Sequence, residues 1–194
     1  MQLSFFPETI AIPGLTYLPA IITAGQEQQL LRAIDSSHWI TDLKRRVQHY
    51  GYRYDYKARN IDAASRLGDL PLWLKALASD LCTRQLFQDL PDQVIVNEYQ
   101  PGQGIAAHID CVPCFKETIA SLSLGSSCMM DFTCGKEKRE VYLEPRSLIV
   151  LTGDARYRWM HAIAARKSDR LNGIAIARSR RISLTFRNIR SFES

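Results

Sequence analysis

The sequence lacks several features that would mark a membrane or secreted protein. No apolar run in its 194 residues approaches the roughly 20 residues that are needed to cross a bilayer. Residues 1–8 lack the basic start and the apolar core of a signal peptide. Cysteine is scarce, and its odd total of five fits a reducing compartment better than a disulfide framework. We therefore expect a cytoplasmic globular protein, for which 46% hydrophobic and 23% charged residues are ordinary proportions.

Acidic residues are too few to balance the basic ones, and the excess is concentrated in one segment. The net charge is +5, and residues 44–59 alone hold six basic residues and one acid, which also gives six minus one, or +5. The basic residues are Lys44, Arg45, Arg46, Arg53, Lys57 and Arg59, and the acid is Asp55. Such a patch is typical of a protein that binds a polyanion, although a solvated surface loop is the simpler alternative.

Two helices are predicted in the first half of the chain. Thr23 and Gln26 have the spacing of a capping box, and an apolar stripe follows them to Ile34. A second helix is predicted to begin at Pro71, a residue that suits the first turn. Residues 39–59 alternate instead, which predicts a strand. The tyrosines on one face of that strand would be Tyr50, Tyr52, Tyr54 and Tyr56.

Short alternating runs dominate the second half of the chain. They are residues 94–99, 120–124, 128–133, 147–151, 156–161 and 181–189. Many short strands in close succession predict a β-sandwich or jelly roll rather than alternating strand–helix units. The predicted fold class is therefore mainly β with N-terminal helices (α+β). We expect a single domain, residues 1–194, with the helices in residues 1–90 and the jelly-roll core in residues 91–190.

Polar side chains gather around the first of these runs. His108 and Asp110 are two residues apart, so on a strand both would point to the same side. Asn97 and Tyr99 share a face of the preceding strand by the same rule. A His–X–Asp pair with a distant histidine such as His161 is the ligand pattern of facial-triad Fe(II) oxygenases. The pair alone is a weak signal, because the pattern recurs by chance and a lone histidine is more often structural.

The last alternating run, residues 181–189, strengthens the interpretation as an iron oxygenase, because it would direct two arginines into the protein interior. One of its faces would hold Ile182, Leu184 and Phe186, and the other Arg181, Ser183, Thr185 and Arg187. Two arginines inside a sandwich are costly unless they meet anions. A dicarboxylate bound beside a metal would supply them, since the planar guanidinium group matches a carboxylate.

The segments that carry these residues resemble, in order and spacing, those of the AlkB family. They are residues 97–99 with 101–105, 108–110, 121–125, 130–132, 146–150 with His161, and 181–187. With residues 45–52 added, they are most similar to the oxygenase domain of the tRNA-modifying animal member. The family consists of Fe(II)- and 2-oxoglutarate-dependent dioxygenases with a double-stranded β-helix (jelly-roll) fold.

The resemblance implies a cofactor, a cosubstrate and a set of residues for each. The Fe(II) ligands, and hence the catalytic residues, would be His108, Asp110 and His161. The 2-oxoglutarate residues would be Asn97, Tyr99, Arg181 and Arg187, with Arg181 at the distal carboxylate. Oxygen would oxidise the substrate while 2-oxoglutarate is decarboxylated to succinate, and an oxidised N-methyl group would leave as formaldehyde.

The resemblance also implies a nucleic-acid substrate. In the family, the region of the basic segment forms a lid over the nucleotide, and the substrate residues here would be Lys44, Arg45, Arg46, Tyr54 and Tyr56. We expect a monomer that demethylates N-alkylated bases in single-stranded DNA or RNA, with tRNA as one candidate and no membrane partner. Alternating aromatics are otherwise more often a packed strand face than a base-stacking surface.

One departure from the family keeps other functions open. DNA-repair members carry a carboxylate two residues after the metal-binding aspartate, where this chain has Val112. Hydroxylation of a modified tRNA base, or oxidation of a protein side chain, are therefore alternatives, and a metal-binding jelly roll without catalysis is a third. The cysteines Cys111, Cys114, Cys128 and Cys134 could be drawn as a zinc site, but packed thiols fit their spacing better.

Overall fold

Alternating apolar residues build antiparallel strands in this chain, and helices with one apolar face cover them. The structure is a computed structural model that describes residues 12–190. The helices are α1 (Ala24–Asp35), α2 (Leu72–Thr83) and the short α3 (Gly153–Tyr157), with a 3-10 turn at Ala63–Ser65. The strands are β1 (Leu15–Leu18), β2 (Val47–Tyr50), β3 (Gln93–Tyr99), β4 (Ile105–His108), β5 (Phe115–Gly125), β6 (Cys128–Cys134), β7 (Glu137–Leu143), β8 (Leu148–Leu151), β9 (Met160–Ile163), β10 (Ser168–Leu171), β11 (Ile174–Ala177) and β12 (Arg181–Ile189).

The strands form two antiparallel sheets that pack against each other, and one separate hairpin. The major sheet has the order β1-β8-β5-β12-β3-β2, and the minor sheet the order β4-β9-β6-β7. Strands β10 and β11 pair only with each other. This architecture confirms the predicted mainly β fold with a jelly-roll core. Because β1 and β2 belong to the major sheet, that sheet also recruits residues from before position 91.

The two faces of β12 divide the major sheet into a helix side and a cavity side. Ile182, Leu184 and Phe186 are buried in one apolar cluster with residues of α1 and α2. Arg181 and Arg187 point to the opposite face, toward the minor sheet. The predicted alternation of this strand is therefore confirmed. Burial of the whole strand follows from its central position, between β5 and β3.

The two predicted long helices are present, α1 with its predicted ends and α2 with its start within one residue of the prediction. Thr23 is the N-cap of α1 and forms a complete capping box with Gln26, and Ser36 ends the helix. Pro71 is the N-cap residue of α2, one position before the first turn in which it was expected. No helix among residues 12–190 is long and apolar enough to cross a membrane.

The strand predicted at residues 156–161 is wrong for most of its length. Residues Gly153–Tyr157 form α3 instead, and β9 begins only at Met160. Gly153 has a φ of +47°, which lets the chain leave β8 by a sharp turn. The prediction that helices only precede the strands is also wrong, because α3 interrupts the series.

The strand predicted at residues 39–59 is confirmed only for β2. Gly51, with a φ of +77°, ends the regular backbone, and residues 52–60 follow as an irregular loop with two isolated bridges. The tyrosines therefore do not share one face. Tyr50 packs edge-on against Trp73 of the helix layer, whereas Tyr54 and Tyr56 lie at the cavity between the sheets.

This turn provides a test of the fold. Replacing Gly51 with Ala should lower the free energy of unfolding by roughly 3 kcal/mol, because the conformation is strained for other residues and the site has no room. A Cβ at Gly51 would lie 1.8 Å from the carbonyl oxygen of Asp92. Gly135 is the matched control: its φ is +58° but nothing lies within 4 Å of a Cβ there. Denaturant unfolding of Gly51→Ala and Gly135→Ala separates the effect of the clash from that of the strained backbone. Equal losses of unfolding free energy in the two variants would contradict the clash at Gly51.

Candidate active site

A cavity of about 310 Å³ lies between the two sheets, where the inner face of β12 meets β4, β6 and β9. Its polar lining is Arg45, Tyr54, Tyr56, Arg59, Asn97, Tyr99, His108, Asp110, Ser121, His161, Arg181, Ser183, Thr185 and Arg187. All predicted site residues belong to this lining except Lys44 and Arg46. Apolar side chains such as Met130, Leu151 and Ile163 complete the walls. The volume suits a small organic ligand.

Two neighbouring strands bring the predicted metal ligands together. His108 ends β4 and lies opposite His161 of β9 in direct register, with 4.4 Å between ring centroids. Asp110 lies in the loop after β4, so the prediction that it shares a strand with His108 is wrong. The loop nevertheless brings its carboxylate to the same place. Its Oδ2 lies 4.0 Å from His161 Nε2.

The hydrogen bonding and electrostatics of these three side chains suit metal binding. His108 Nδ1 lies 2.8 Å from the carbonyl oxygen of Ala106, which can only accept a hydrogen bond, so Nε2 is the ring nitrogen left to bind a metal. Burial lowers the pKa of His161 to about 4, which keeps this ring neutral at pH 7. Burial alone would raise the pKa of Asp110, but Arg187 and then the two histidines outweigh it and hold that pKa far below its usual range.

This donor set fits Fe(II), although no finished coordination shell is formed. Within residues 12–190, no three His, Cys, Asp or Glu side chains stand in a ready metal-binding arrangement. The fit depends on the donor types, because two neutral imidazoles and one carboxylate are the ligands of facial-triad iron sites. The His161 to Asp110 separation of 4.0 Å exceeds a hydrogen bond, so these two groups do not satisfy each other.

Arg187 holds the carboxylate of this set in place. Its Nη2 donates to Asp110 Oδ1 at 2.8 Å, and its Nη1 donates to Gln93 Oε1 at 3.2 Å. The guanidinium also lies 4.8 Å from the ring centroid of Phe115. Its Nε is buried without a partner among the described residues. The resemblance assigned Arg187 to 2-oxoglutarate, and the structure adds a contact with the metal-binding aspartate.

Arg181 lies deeper in the cavity and has unused hydrogen-bond donors. Its Nη2 donates to Ser123 Oγ at 2.9 Å, while Nε and Nη1 are buried with no partner among residues 12–190. The guanidinium lies 5.5 Å from the ring centroid of Tyr99. Buried donors of a charged group are costly to leave unpaired. They therefore fit one carboxylate of a bound dicarboxylate, which is the predicted role of this residue.

Arg45 contributes to the cavity rather than to the outer surface. Its Nε donates to Asn97 Oδ1 at 2.9 Å, and its guanidinium lies 5.8 Å from the ring centroid of Tyr56 and 5.9 Å from that of Tyr99. It was predicted to contact substrate phosphates. Its position beside Asn97 instead places a third arginine at the proposed cosubstrate site.

The neighbours of Arg45 lie outside the cavity. Arg46 makes a two-pronged ion pair with Glu98, at 2.6 and 2.7 Å, so its guanidinium is already neutralised. This pair explains why Arg46 does not fit the predicted phosphate contact. Lys44 is exposed, and its side chain pairs with no acid in the described part of the chain. Its predicted role remains a prediction.

Tyr54 and Tyr56 form an aromatic wall of the cavity. Their rings meet edge to face at a centroid distance of 5.1 Å, and Tyr54 also lies 6.1 Å from Phe115. His49 anchors this wall, because its Nδ1 accepts the backbone N–H of Tyr54 at 3.0 Å. Burial, followed by the charge of Arg53, lowers the pKa of His49 to about 4. The imidazole is therefore neutral and remains an acceptor near pH 7.

The cysteines beside the metal-binding loop do not behave as predicted. Cys111 and Cys114 form a disulfide, with 5.3 Å between their Cα atoms, so the expectation of packed free thiols is wrong for this pair. The turn after Asp110 brings them within bonding distance. Because the disulfide takes up Cys111 and Cys114, only Cys128 and Cys134 remain as free thiols of this set, and the alternative four-cysteine zinc site is not formed.

Sequence reasoning missed Arg156, which supports the same loop. It is 1% exposed, and it donates to the carbonyl oxygens of Asp110 at 2.9 Å, Cys111 at 3.2 Å and Phe115 at 3.5 Å. The backbone that carries the metal-binding carboxylate is therefore fixed by a buried cation. The sequence around Arg156 contains no signal that distinguishes it from Arg158, two residues later.

The chain belongs to the 2OG-Fe(II) oxygenase superfamily, whose sequence pattern matches residues 14–187. The family uses Fe(II) and 2-oxoglutarate, and the chain is accordingly a dioxygenase, an oxidoreductase that depends on both. This membership agrees with the donor set of the cavity and with its arginines.

Similar proteins confirm the resemblance to the AlkB family. The chain is 39% identical over 98% of its length to the "Alkylated DNA repair protein ALKBH8 homolog" of Arabidopsis thaliana, and it spans 62% of that protein. It is 36% identical over 92% of its length to the mouse "tRNA (carboxymethyluridine(34)-5-O)-methyltransferase ALKBH8", of which it spans 31%. The solved structure of OsALKBH1 shares the fold, with a TM-score of 0.66, 19% identity, and 91% and 97% of the two chains covered.

Arg156 provides a test of how the loop is held. Replacing Arg156 with Lys should weaken Fe(II) binding by about tenfold or more, because an ammonium group cannot reach all the carbonyl oxygens that the guanidinium bridges. Anaerobic Fe(II) titration measures this, and thermal unfolding reports the stability separately. Arg158→Lys is the matched control, since Arg158 lies next to the same helix with a 66% exposed side chain. Equal Fe(II) affinity in the two variants would contradict the assignment.

Arg181 provides a test of the cosubstrate site. Replacing it with Ala should weaken 2-oxoglutarate binding more than a hundredfold, because losing one partner of a buried charge pair costs on the order of 3–5 kcal/mol. Ser123→Ala removes a single contact to the same guanidinium, and should weaken binding by roughly tenfold at most. Both affinities are measured by titrating 2-oxoglutarate into the anaerobic Fe(II) enzyme. An unchanged affinity in Arg181→Ala would move the distal carboxylate to another cation.

Proposed function

We propose that this dioxygenase oxidises an alkylated base presented by a single-stranded nucleic acid. Oxidation of an N-methyl group would release formaldehyde, while O2 converts 2-oxoglutarate to succinate and CO2. Nucleic-acid substrates are also named for relatives of this chain, one as a DNA repair protein homologue and another as a tRNA methyltransferase. Since the chain spans only part of those proteins, their activities do not transfer directly.

The observation that carries this proposal is the mixed aromatic and basic wall beside the cavity. Tyr54 and Tyr56 line it, and Arg59 follows them in the same lining. Lys57 and Arg59 are exposed, and neither pairs with an acid in residues 12–190. An aromatic ring can stack on any base, and unpaired cations can meet the adjoining phosphates. A small neutral metabolite would need neither feature.

Inside the cavity, different side chains would bind the two ends of 2-oxoglutarate. Arg181 and Tyr99 would hold the distal carboxylate of 2-oxoglutarate, while Asn97 and Arg187, with Arg45 beside Asn97, would hold the end nearer the metal. Bound Fe(II), with 2-oxoglutarate and O2, supplies the oxidising chemistry. Arg187 keeps the carboxylate of Asp110 ionised and oriented, at 2.8 Å. The apolar walls limit water around the reacting groups.

Hydroxylation of a carbon-linked modification on a tRNA base is the second candidate. Val112, at the position where DNA-repair members have a carboxylate, is 41% exposed and provides no polar contact to a base. Side chains other than residue 112 would then have to recognise the modified group. The relative named as a tRNA methyltransferase favours an RNA substrate for this reaction.

The test is mass spectrometry of nucleosides after incubation with alkylated single-stranded DNA, the matching duplex, and tRNA. We expect loss of a methyl group with equimolar succinate and formaldehyde on single strands. The duplex should react at least tenfold more slowly, because flipping a base out of it costs a few kcal/mol. A hydroxylated tRNA nucleoside without formaldehyde would favour the second candidate.

Asp110→Ala is the control for this experiment. It removes one of three predicted iron ligands, so succinate formation and base oxidation should both disappear. Succinate formation at the wild-type rate in this variant would contradict the iron assignment. If the enzyme oxidised a protein or peptide but none of the nucleic acids, the proposed substrate class would be refuted. The assignment as a dioxygenase would still stand.

A further inference from the structure

The β10–β11 hairpin lies beside the turn that joins β3 to β4. The backbone N–H of Gly102, in that turn, donates to the carbonyl oxygen of Arg166 at 3.2 Å. A methyl group on Gly102 would lie 3.9 Å from Lys167 Cγ. From the same turn, Gln103 Nε2 donates to the carbonyl oxygen of Lys44 at 2.6 Å. Lys44 and Lys167 therefore flank one turn, immediately before the strand that enters the cavity.

Most arginines near the hairpin are already neutralised, but its outer cations are not. Arg166 and Arg178 both pair with the buried Asp169. Lys167 and Arg170 are exposed, and their side chains form no ion pair with an acid in the described part of the chain. Residues 166–178 hold four basic residues and one acid, a surplus of four minus one, or +3. Two units of this surplus lie on Lys167 and Arg170, and the third remains on the cluster of Arg166, Arg178 and Asp169.

The register of the hairpin keeps Arg170 accessible. Arg170 pairs with Ala175, and Ser168 on the same face pairs with Ala177. These neighbours are short, and so they leave the guanidinium group open to solvent. Asp169 points to the opposite face, where it is 2% exposed. The outer face is thus a small, flat surface on which the only charged side chain of the two strands is Arg170, with Lys167 at its base.

The basic segment from Arg178 to Arg190 offers no comparable surface. Arg178 is bound to Asp169, and Arg180 is bound to both Asp35 and Glu98. Arg190 donates to the carbonyl oxygen of Phe115 at 2.9 Å. A polyanion would have to displace these partners, whereas it would meet Lys167 and Arg170 directly.

We propose that Lys167 and Arg170 form a second phosphate-binding strip, separate from the lid, which holds the backbone of a single-stranded nucleic acid outside the cavity. The proposal rests on the proposed function, because a base within a polymer has a neighbour on each side. When that base enters the cavity, the strand must cross the cavity mouth in both directions. Cations of the lid, which is the basic segment of residues 44–59, can bind the phosphates on one side of that base. Lys167 and Arg170 lie beyond the turn next to Lys44 and can bind phosphates farther along the nucleic-acid strand.

The test compares two double variants by their salt dependence. The strip variant is Lys167→Ala with Arg170→Ala, and the control is Arg32→Ala with Lys75→Ala. The control cations lie on α1 and α2, across the major sheet from the cavity. Dissociation constants for unmodified single-stranded RNA oligonucleotides of increasing length are measured at several salt concentrations, with thermal unfolding as a check on folding.

Loss of two phosphate contacts should reduce the slope of log K against log salt by about 1.4 and weaken binding about tenfold near physiological salt. The loss should grow with oligonucleotide length until the strand reaches the hairpin, and the control should retain the wild-type slope. An unchanged slope in the strip variant, with wild-type binding present, would overturn the strip alone. If the wild type bound no nucleic acid at low salt, the proposed function would fail first.

Discussion

Compensation of buried positive charge is the constraint on which the rest of this site depends. Arg156, Arg181 and Arg187 are each at most 7% exposed, and burying an unpaired cation costs several kcal/mol. Each is satisfied differently. Arg187 meets the carboxylate of Asp110, and Arg156 meets backbone carbonyl oxygens. Arg181 retains two buried nitrogen donors, Nε and Nη1, without partners among residues 12–190, and this incomplete compensation fits a dianionic cosubstrate. The same arrangement explains why a jelly roll can keep arginines between its sheets.

In the metal-binding loop, two of these buried arginines position the carboxylate of Asp110. His108 and His161 are fixed by strand pairing, since they face each other in register on β4 and β9. Asp110 lies beyond the strand and has no such support. Its carboxylate is held by Arg187 of β12, and its backbone carbonyl oxygen is held by Arg156 of α3. These two contacts replace the hydrogen bonds between strands that fix the histidines.

Period-two alternation and capping chemistry were readable from the sequence, whereas long-range partners were not. The two faces of β12 followed from residues 181–187 alone, because burial on opposite sides of a strand is a local property. The ends of α1 followed from the capping box at Thr23 for the same reason. The tyrosine ladder was misread, since the alternation continues through Gly51 although the backbone turns there. The partners of Arg45 and Arg46, which are Asn97 and Glu98, were missed because they are remote in sequence.

The same contrast explains why the chemistry of this chain is better determined than its substrate. Iron and 2-oxoglutarate are small, and the cavity encloses the groups that bind them, so the inward face of a few strands is sufficient to identify them. A polymeric substrate is recognised outside the cavity, by loops whose residues are exposed and whose pairing depends on neighbours from other segments. In the proposed function, the basic segment of residues 44–59 and the β10–β11 hairpin would be such elements. Their free cations, Lys44, Lys57, Arg59, Lys167 and Arg170, form no ion pair with an acid among residues 12–190, and only the three-dimensional arrangement shows this. The substrate recognition that we propose therefore depends on unpaired surface cations and on the half-buried rings of Tyr54 and Tyr56, and it is separate from the groups that would bind iron and 2-oxoglutarate.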